Sequence, residues 1–257
     1  MTIVAVASRR WTSLPGQTGT VVGALSDYVD ALAAVGMAAV LVPFQAPPLA
    51  LAVLHRCDGL LLTGGEDVGT GCESAGPQRS DWSTDEGRDE FELLLLNHAR
   101  LRGVPILAIC RGLHLLNIAC GGTISHLSDA VSSPLRHVTK WQEGEVYVHD
   151  LSIVEGSLLA SVWSEARVVR VNGSHRYCVR VVGNGLRVSA TSPDGAVEAI
   201  EATDGGFCLG VQWHPECLVL RGDHNAIALF RAFAVACADT PCKQPDGGGT
   251  RPTGGET

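Results

Sequence analysis

The sequence predicts an α/β fold in which a mostly parallel sheet is covered by helices on both faces and extended by a few antiparallel strands. In the first half of the chain, short apolar segments alternate with segments of helical periodicity. Strands that are nearly all apolar are typical of parallel sheets buried on both faces. From about Val146 the segments become shorter and are separated by turn residues such as Asn184-Gly185, which favours antiparallel pairing.

Strands and helices are expected to alternate up to Gly122. The expected strands are Thr2–Ala7, Ala38–Pro43, Gly59–Thr63 and Val104–Ile109. The expected helices are Val21–Val35, Leu49–Leu54, Glu86–Leu101 and Arg111–Ala119. Gly36 follows the first of these helices and is a residue type that commonly ends one. The polar, glycine-rich stretch Glu66–Glu86 is expected to be a loop.

In the second half we expect four antiparallel strands, then a buried strand and a closing helix. The four strands are Val146–Val154, Ala166–Val171, Leu186–Thr191 and Ala196–Ala202. Phe207–Gln212 is apolar enough for a buried strand, and Asn225–Cys237 has helical spacing. We expect residues 1–237 to form one domain. Residues 238–257 are rich in Gly, Pro and Thr without periodicity, which predicts a disordered tail.

Composition excludes several partner classes. Of the 257 residues 46% are hydrophobic and 18% charged, which allows a sizeable core, and the net charge is −8. The basic residues are scattered, which argues against nucleic acid or an anionic membrane surface as a partner. No apolar run reaches the roughly 18–20 residues of a membrane span. The nine cysteines are odd in number and contain no CxxC pair, so we expect reduced thiols and a cytoplasmic protein.

The segment Pro105–Gly122 places Cys110 between a buried strand and a helix. This is the arrangement of a nucleophile elbow, whose tight turn needs a small residue nearby, here Gly112. A helix N-terminus stabilises a thiolate, and the backbone N–H of Arg111 can bind an oxyanion. The alternative is that Cys110 is an ordinary buried cysteine.

A thiol nucleophile also needs a base, and the segment Val211–Glu216 offers one at the end of another apolar strand. If the chain turns at Pro215, Glu216 can reach the far imidazole nitrogen of His214 and stabilise the imidazolium. A lone histidine is more often structural. However, Cys110, His214 and Gly64-Gly65 all follow apolar strands, and sites in parallel sheets form at the carboxyl ends of strands.

Several motifs in this order resemble the class I glutamine amidotransferase superfamily. They are TGGEDV at Thr63–Val68, ICRG at Ile109–Gly112 with NIACGGT at Asn117–Thr123, and VQWHPE at Val211–Glu216. More narrowly, Arg88–Ala99, Val171–Tyr177 and Gly185–Glu201 are similar to segments of the γ-glutamyl-γ-aminobutyrate hydrolase branch, the C26-type peptidases. The resemblance covers roughly residues 1–236.

This resemblance implies a flavodoxin-like sheet and a cysteine-dependent hydrolase of γ-glutamyl amides that forms a γ-glutamyl thioester. It implies Cys110 as nucleophile, His214 as base and Glu216 as its partner, with Gly65 and Arg111 offering oxyanion-hole N–H groups. It implies no metal and no organic cofactor. The expected partner is a small γ-glutamyl substrate, and a homodimer is left open.

The substrate pocket departs from the family pattern. His114 stands where the family usually has glutamine, and Glu66 replaces a glycine. The family loop V-N-S-x-H-H-Q reads V-N-G-S-H-R-Y at Val171–Tyr177. Gly173 stands in place of the serine, and Arg176 and Tyr177 stand in place of the last two residues, H and Q. By resemblance the substrate-binding residues are His114, Asn172, Ser174 and His175. The departures favour an altered acceptor or leaving-group specificity, and neutral drift is the alternative.

Other polar residues carry weaker signals. His126, His137 and His149 could line the cleft, but no pair has convincing metal-ligand spacing. The acidic residues between Asp81 and Glu92 are expected to form a solvated helix start.

Three functions are compatible with these features. The first is a stand-alone γ-glutamyl hydrolase. The second is a glutaminase subunit that supplies ammonia to a separate synthetase, and the third is a catalytically inactive binding module. Release of glutamate from γ-glutamyl amides by the purified protein alone would separate them.

Overall fold

The computed structural model describes residues 1–12, 19–69, 84–132, 135–163 and 169–240. Its strands are β1 Ile3–Ala7, β2 Arg9–Thr12, β3 Thr20–Gly23, β4 Ala38–Val42, β5 Gly59–Leu62, β6 Ile106–Ile109, β7 Thr123–His126, β8 His149–Ile153, β9 Val169–Val171, β10 Tyr177–Val181, β11 Leu186–Thr191, β12 Val197–Ala202 and β13 Cys208–Val211. Its helices are α1 Ser26–Ala34, α2 Pro47–Leu54, α3 Glu86–Leu101, α4 Arg111–Ala119, α5 Leu127–Ala130, α6 Leu158–Val162, α7 Pro215–Val219 and α8 His224–Asp239, with a 3₁₀ turn at Trp141–Glu143.

Nine strands form one central sheet in the order β4-β1-β5-β6-β13-β12-β11-β8-β9. The pairs from β4 to β13 are parallel, and every pair from β13 to β9 is antiparallel. The predicted parallel sheet with an antiparallel extension is therefore confirmed, as a flavodoxin-like α/β fold. In this order β5, β6 and β13 are neighbours, so their carboxyl ends lie side by side.

Two apolar cores lie on opposite faces of the sheet. Successive side chains of β1 point to opposite faces of the sheet. Val4 and Val6 belong to one core, and Ala5 and Ala7 belong to the other. Helices α1, α6, α7 and α8 contribute to the first core, and α2, α3 and α4 to the second. None of the helices in the described part of the chain is both long and apolar enough to cross a membrane.

The prediction of a helix over Val21–Val35 is wrong at its start. Thr20–Gly23 forms strand β3, which pairs with β2 in a small antiparallel ribbon. The helix begins only at Ser26, although it ends as predicted before Gly36, whose φ is +80°. The apolar residues of β3 suit either structure, and a partner strand from an earlier part of the chain decides between them.

Two expectations fall wholly or mainly outside the described residues. The middle of the expected loop, residues 70–83, is not described, and neither are residues 241–257 of the expected tail. Both therefore stay predictions.

Candidate active site

Cys110 lies at a strained junction between β6 and α4. Its φ is 53° and its ψ is −103°, and it is the only non-glycine residue with positive φ in the described ranges. Its backbone N–H donates to the Val211 carbonyl at 2.7 Å, so the neighbouring strand β13 holds the turn. A side chain held in such a backbone conformation usually marks a functional site.

The close approach of α4 to β5 explains the glycine that follows Cys110. A Cβ on Gly112 would lie 2.8 Å from the Leu62 Cβ and 2.9 Å from the Leu62 carbonyl oxygen. Leu62 ends β5, and any larger residue at position 112 would push the helix away from this strand. The small residue expected beside the nucleophile is thus required by packing.

His214 and Glu216 lie at the end of β13, beside Cys110. The Nδ1 of His214 is 2.7 Å from Glu216 Oε1, and the Glu216 side chain is almost fully buried. Burial lowers the pKa of His214, but the Glu216 carboxylate, together with charge and a hydrogen bond from Cys110, raises it well above its ordinary value. This arrangement favours the imidazolium form of His214 beside Cys110.

Tyr28, which has no motif around it in the sequence, contacts Gly64 beside this site. Its hydroxyl accepts a hydrogen bond from the Gly64 N–H at 2.9 Å. Burial and the nearby carboxylate of Glu216 raise the pKa of Tyr28 well above its usual value, so the hydroxyl stays protonated. A Cβ on Gly64 would lie 2.8 Å from the His214 ring and 2.9 Å from this hydroxyl, which leaves room only for glycine.

A pocket of about 530 Å³, including its open mouth, lies in front of Cys110. Gly65 and Arg111, the two residues expected to offer oxyanion-hole N–H groups, both line it. Gly65 has a φ of +152°, and a Cβ there would collide with the Arg88 guanidinium. Glycine at this position therefore lets the backbone pass close to the buried Arg88 side chain.

The structure places most of the expected substrate-binding residues on the pocket wall. Cys110, His114, Ser174 and His175 line it, and so do the loop residues at 176 and 177. Asn172 differs from the expectation. It is fully buried, and its amide accepts from the His214 N–H and donates to the His214 carbonyl, both at 2.8 Å. Asn172 therefore positions His214, because both polar ends of its side chain are used by the protein itself.

His114 connects to Cys110 through Gln212. The Nε2 of His114 donates to Gln212 Oε1 at 2.8 Å, and the Gln212 amide donates to Cys110 Sγ at 3.7 Å. Burial, opposed by the hydrogen bond to Gln212, lowers the pKa of His114 to about 4. His114 is thus neutral at physiological pH and places a polar ring on the pocket wall.

The expectation of a solvated acidic helix start is wrong for two of its carboxylates. Asp89 and Glu92 are buried and form ion pairs with the buried side chain of Arg111. Arg88 is also fully buried and contacts Glu92 at 2.7 Å and Glu66 at 2.9 Å. This arginine network lies behind the elbow, so the Arg111 side chain holds α4 against α3 while its backbone faces the pocket.

Three histidines that are scattered in the sequence meet on the other side of the pocket. His137, His149 and His175 surround the fully buried carboxylate of Glu198. Burial opposes ionisation of Glu198, but hydrogen bonding and charge from these imidazoles hold its pKa well below the usual range. The expectation that no histidine pair has ligand spacing misses this cluster because its members come from different segments.

The chain matches the peptidase C26 family over residues 3–216. Among similar proteins is the γ-glutamyl-γ-aminobutyrate hydrolase PuuD of Escherichia coli strain K12, 33% identical over 221 residues that cover 82% of this chain and 84% of that protein. A glutamine amidotransferase-like protein of Rickettsia prowazekii, RP404, is 30% identical, covering 82% of this chain and 87% of that protein.

Solved structures confirm the fold class. The glutaminase domain of a Trypanosoma brucei CTPS, solved with bound acivicin, aligns with a TM-score of 0.62 at 17% identity. The alignment covers 93% of this chain and 94% of that one. Together, the fold and the family match place the chain among the class I glutamine amidotransferase-like proteins. The chain belongs to the peptidase C26 family, which indicates a hydrolase.

Proposed function

We propose that the protein is a cysteine hydrolase of γ-glutamyl amide bonds that releases glutamate and an amine or amino acid. The observation that carries this proposal is the strained backbone of Cys110 at the β6–α4 junction, beside the His214–Glu216 pair. The family match and the relatives named as γ-glutamyl-γ-aminobutyrate hydrolases support the substrate class.

In the proposed reaction the Cys110 thiolate attacks the γ-carbonyl carbon of the substrate. The resulting oxyanion is stabilised by the backbone N–H groups of Gly65 and Arg111. His214, as imidazolium, gives its proton to the leaving amine as the C–N bond breaks, which leaves a γ-glutamyl thioester. Water then gives a proton to His214 and attacks the thioester, and glutamate leaves as the thiolate re-forms. Glu216 orients the imidazole and stabilises its charged form.

The glutamyl group is proposed to bind between His114 and the Ser174–Tyr177 segment. A γ-glutamyl group carries both an ammonium and a carboxylate. At the pocket mouth the Arg176 guanidinium lies 3.2 Å from Asp67 Oδ2, so charges of both signs are within reach. Neutral His114 and Ser174 add hydrogen-bonding groups nearer the reacting carbon.

The first test measures glutamate release from a panel of γ-glutamyl amines, with glutamine included. We expect turnover by the wild-type protein alone and a loss of several orders of magnitude in kcat for Cys110→Ser and Cys110→Ala. Cys57→Ser is the matched control, because this thiol, at the end of β5 that lies away from Gly65, donates to the Val53 carbonyl. It should keep near wild-type activity.

The same panel separates the alternatives. Turnover of glutamine with no turnover of γ-glutamyl amines would favour the glutaminase subunit. No turnover of any panel member by folded protein would favour the binding module. More than a few per cent of wild-type kcat in Cys110→Ala would reject the covalent mechanism.

A further inference from the structure

The histidine cluster beside the pocket brings together side chains from four segments. His137 precedes the 3₁₀ turn, His149 begins β8, His175 lies between β9 and β10, and Glu198 is in β12. The four residues are at most 7% exposed. Such a concentration of buried imidazole and carboxylate groups is expensive unless the groups serve one another or a shared ion.

Four distances within the cluster are close to the ligand–ligand spacing of a zinc tetrahedron, and His137, His149 and Glu198 form its tightest group. His137 Nδ1, His149 Nε2 and His175 Nε2 lie 3.1, 3.4 and 3.5 Å from Glu198 Oε1. His137 Nδ1 and His149 Nε2 are 3.2 Å apart. Ligands bound tetrahedrally to Zn²⁺ at about 2.0–2.1 Å are separated by roughly 3.3–3.4 Å. The ligand atoms of His137, His149 and Glu198 together lie within 4.8 Å of one another.

The opposite nitrogen of each histidine has an acceptor. His137 Nε2 is 3.0 Å from Asp194 Oδ2, His149 Nδ1 is 3.1 Å from the Asp150 carbonyl, and His175 Nδ1 is 3.0 Å from the Tyr177 carbonyl. An acceptor at one ring nitrogen favours an N–H on that nitrogen, which leaves the other nitrogen available as a metal ligand. Metal-binding histidines almost always have such an outer carboxylate or carbonyl.

The inward nitrogens of the three rings face a carboxylate. Among the described residues, neither oxygen of Glu198 has a partner with hydrogen-bond geometry, nor does His175 Nε2, although all three atoms are fully buried. A buried carboxylate needs a positive partner, which here is either protons on the rings or a bound cation. The carboxylates of Glu198 and Asp194 both face this cluster, and a divalent cation would offset the charge of both.

We propose that His137, His149, His175 and Glu198 bind one Zn²⁺ ion. Three imidazole nitrogens and one carboxylate oxygen complete a four-coordinate sphere, which is typical of structural zinc sites. The site is separate from the cysteine chemistry and departs from the expectation of no metal. Its consequence for the pocket is mechanical, because His175 is next to Ser174 on the pocket wall. Zn²⁺ would join this wall to β8 and β12.

The test begins with protein expressed in zinc-supplemented medium and purified without chelators. We expect about one equivalent of Zn²⁺ by elemental analysis, and X-ray absorption should show four N/O ligands near 2.0 Å. Removal by a chelator should lower Tm, and added ZnCl₂ should restore it. Glu198→Gln and His149→Ala should each lose stoichiometric zinc. The matched control His224→Ala, an exposed histidine at the start of α8, should keep it.

A milder variant guards against misfolding of the ligand substitutions. Asp194→Asn keeps all four ligands and weakens the acceptor behind His137, a side chain that also accepts from the Ser192 hydroxyl and from the Leu135 and Ala196 N–H groups. The variant should fold and bind Zn²⁺ roughly 10–100-fold more weakly. Less than a tenth of an equivalent of zinc in the wild-type protein, with no change in Tm on adding ZnCl₂, would overturn the proposal. The cluster would then be held together by protons on its imidazoles.

Discussion

The two sides of the pocket bury charged groups in different ways. Behind Cys110, the arginine network joins Arg9, Arg88 and Arg111 to Glu66, Asp89 and Glu92. Three guanidinium groups face three carboxylates, so the network is neutral without any other component. Across the pocket, Glu198 and Asp194 face three imidazoles, whose charge depends on protons or on a bound cation.

The difference shows how each region can serve the site. Guanidinium groups remain charged at every accessible pH, and their fixed forks suit permanent pairing with carboxylates. The arginine network therefore joins α3, α4 and Glu66 behind the turn at Cys110. Imidazoles are weaker bases than guanidines, so their ring nitrogens can lose a proton and bind a metal ion instead. The histidine cluster could thus bind or release a metal ion. The position of the adjacent Ser174–His175 pocket wall would then depend on whether the ion is bound.

The largest expected effect comes from breaking the arginine network at Arg111. Arg111→Ala leaves Asp89 and Glu92 buried with one fewer cation, and removing one partner of a buried ion pair costs about 3–5 kcal/mol. For a domain of this size Tm should fall by roughly 10 °C. Thermal unfolding followed by circular dichroism measures this loss.

The control for this variant is an exposed ion pair. Arg136 donates to Glu145 through its two terminal guanidinium nitrogens, but its side chain is 46% exposed. Surface pairs contribute little, so the Tm of Arg136→Ala should stay within about 2 °C of the wild type. Equal losses in the two variants would show that the buried network has no special role.

How far each region could be predicted depends on the range of the interactions. The helix Glu86–Leu101 was predicted to the residue, because its periodicity and the Asp85 cap are local. The Cys110 junction was predictable since a strand pattern and a helix pattern meet there. The burial of Asp89 and Glu92 was missed because it depends on Arg111, which belongs to the next helix.

The histidine cluster was beyond prediction for the same reason. His137, His149, His175 and Glu198 meet only after β8, β9 and β12 have entered the sheet, and their spacing follows no motif. One signal in the sequence is the resemblance of Val171–Tyr177 to a family loop. This loop brings His175 to the pocket wall. Sequence alone could not reveal that Asn172, in the same loop, is buried and hydrogen-bonded to the backbone of His214.

Asn172 tests how the two regions are connected, because it precedes the Ser174–His175 wall and holds the backbone of His214. Asn172→Ala leaves the His214 N–H and carbonyl without their side-chain partner, at a cost of about 2–3 kcal/mol. Because His214 would then be less well positioned, we expect kcat on the best γ-glutamyl substrate to fall at least tenfold. The change in KM should be smaller.

Steady-state kinetics on the folded variant separate this role from direct substrate binding. Asn184→Ala, at an exposed asparagine, is the control and should leave both constants unchanged. An increase in KM with an unchanged kcat would mean that Asn172 contacts the substrate after all.

The smallest expected effect concerns His114, which lies on α4 and lines the pocket. Its pKa is about 4 in the folded protein, against an ordinary value near 6.5. Between these values the unfolded chain binds a proton that the folded protein does not, so this histidine makes stability fall as pH decreases below about 6.5. The loss reaches about 2 kcal/mol at pH 5.

His114→Gln preserves a polar partner for Gln212 and removes the titration. From pH 7 to pH 5 its Tm should therefore fall less than that of the wild type, by roughly 5 °C. Comparing the two proteins cancels the titration of every other histidine. Parallel Tm curves for both proteins would mean that His114 is protonated in the folded state at pH 5, and thus that water reaches its ring.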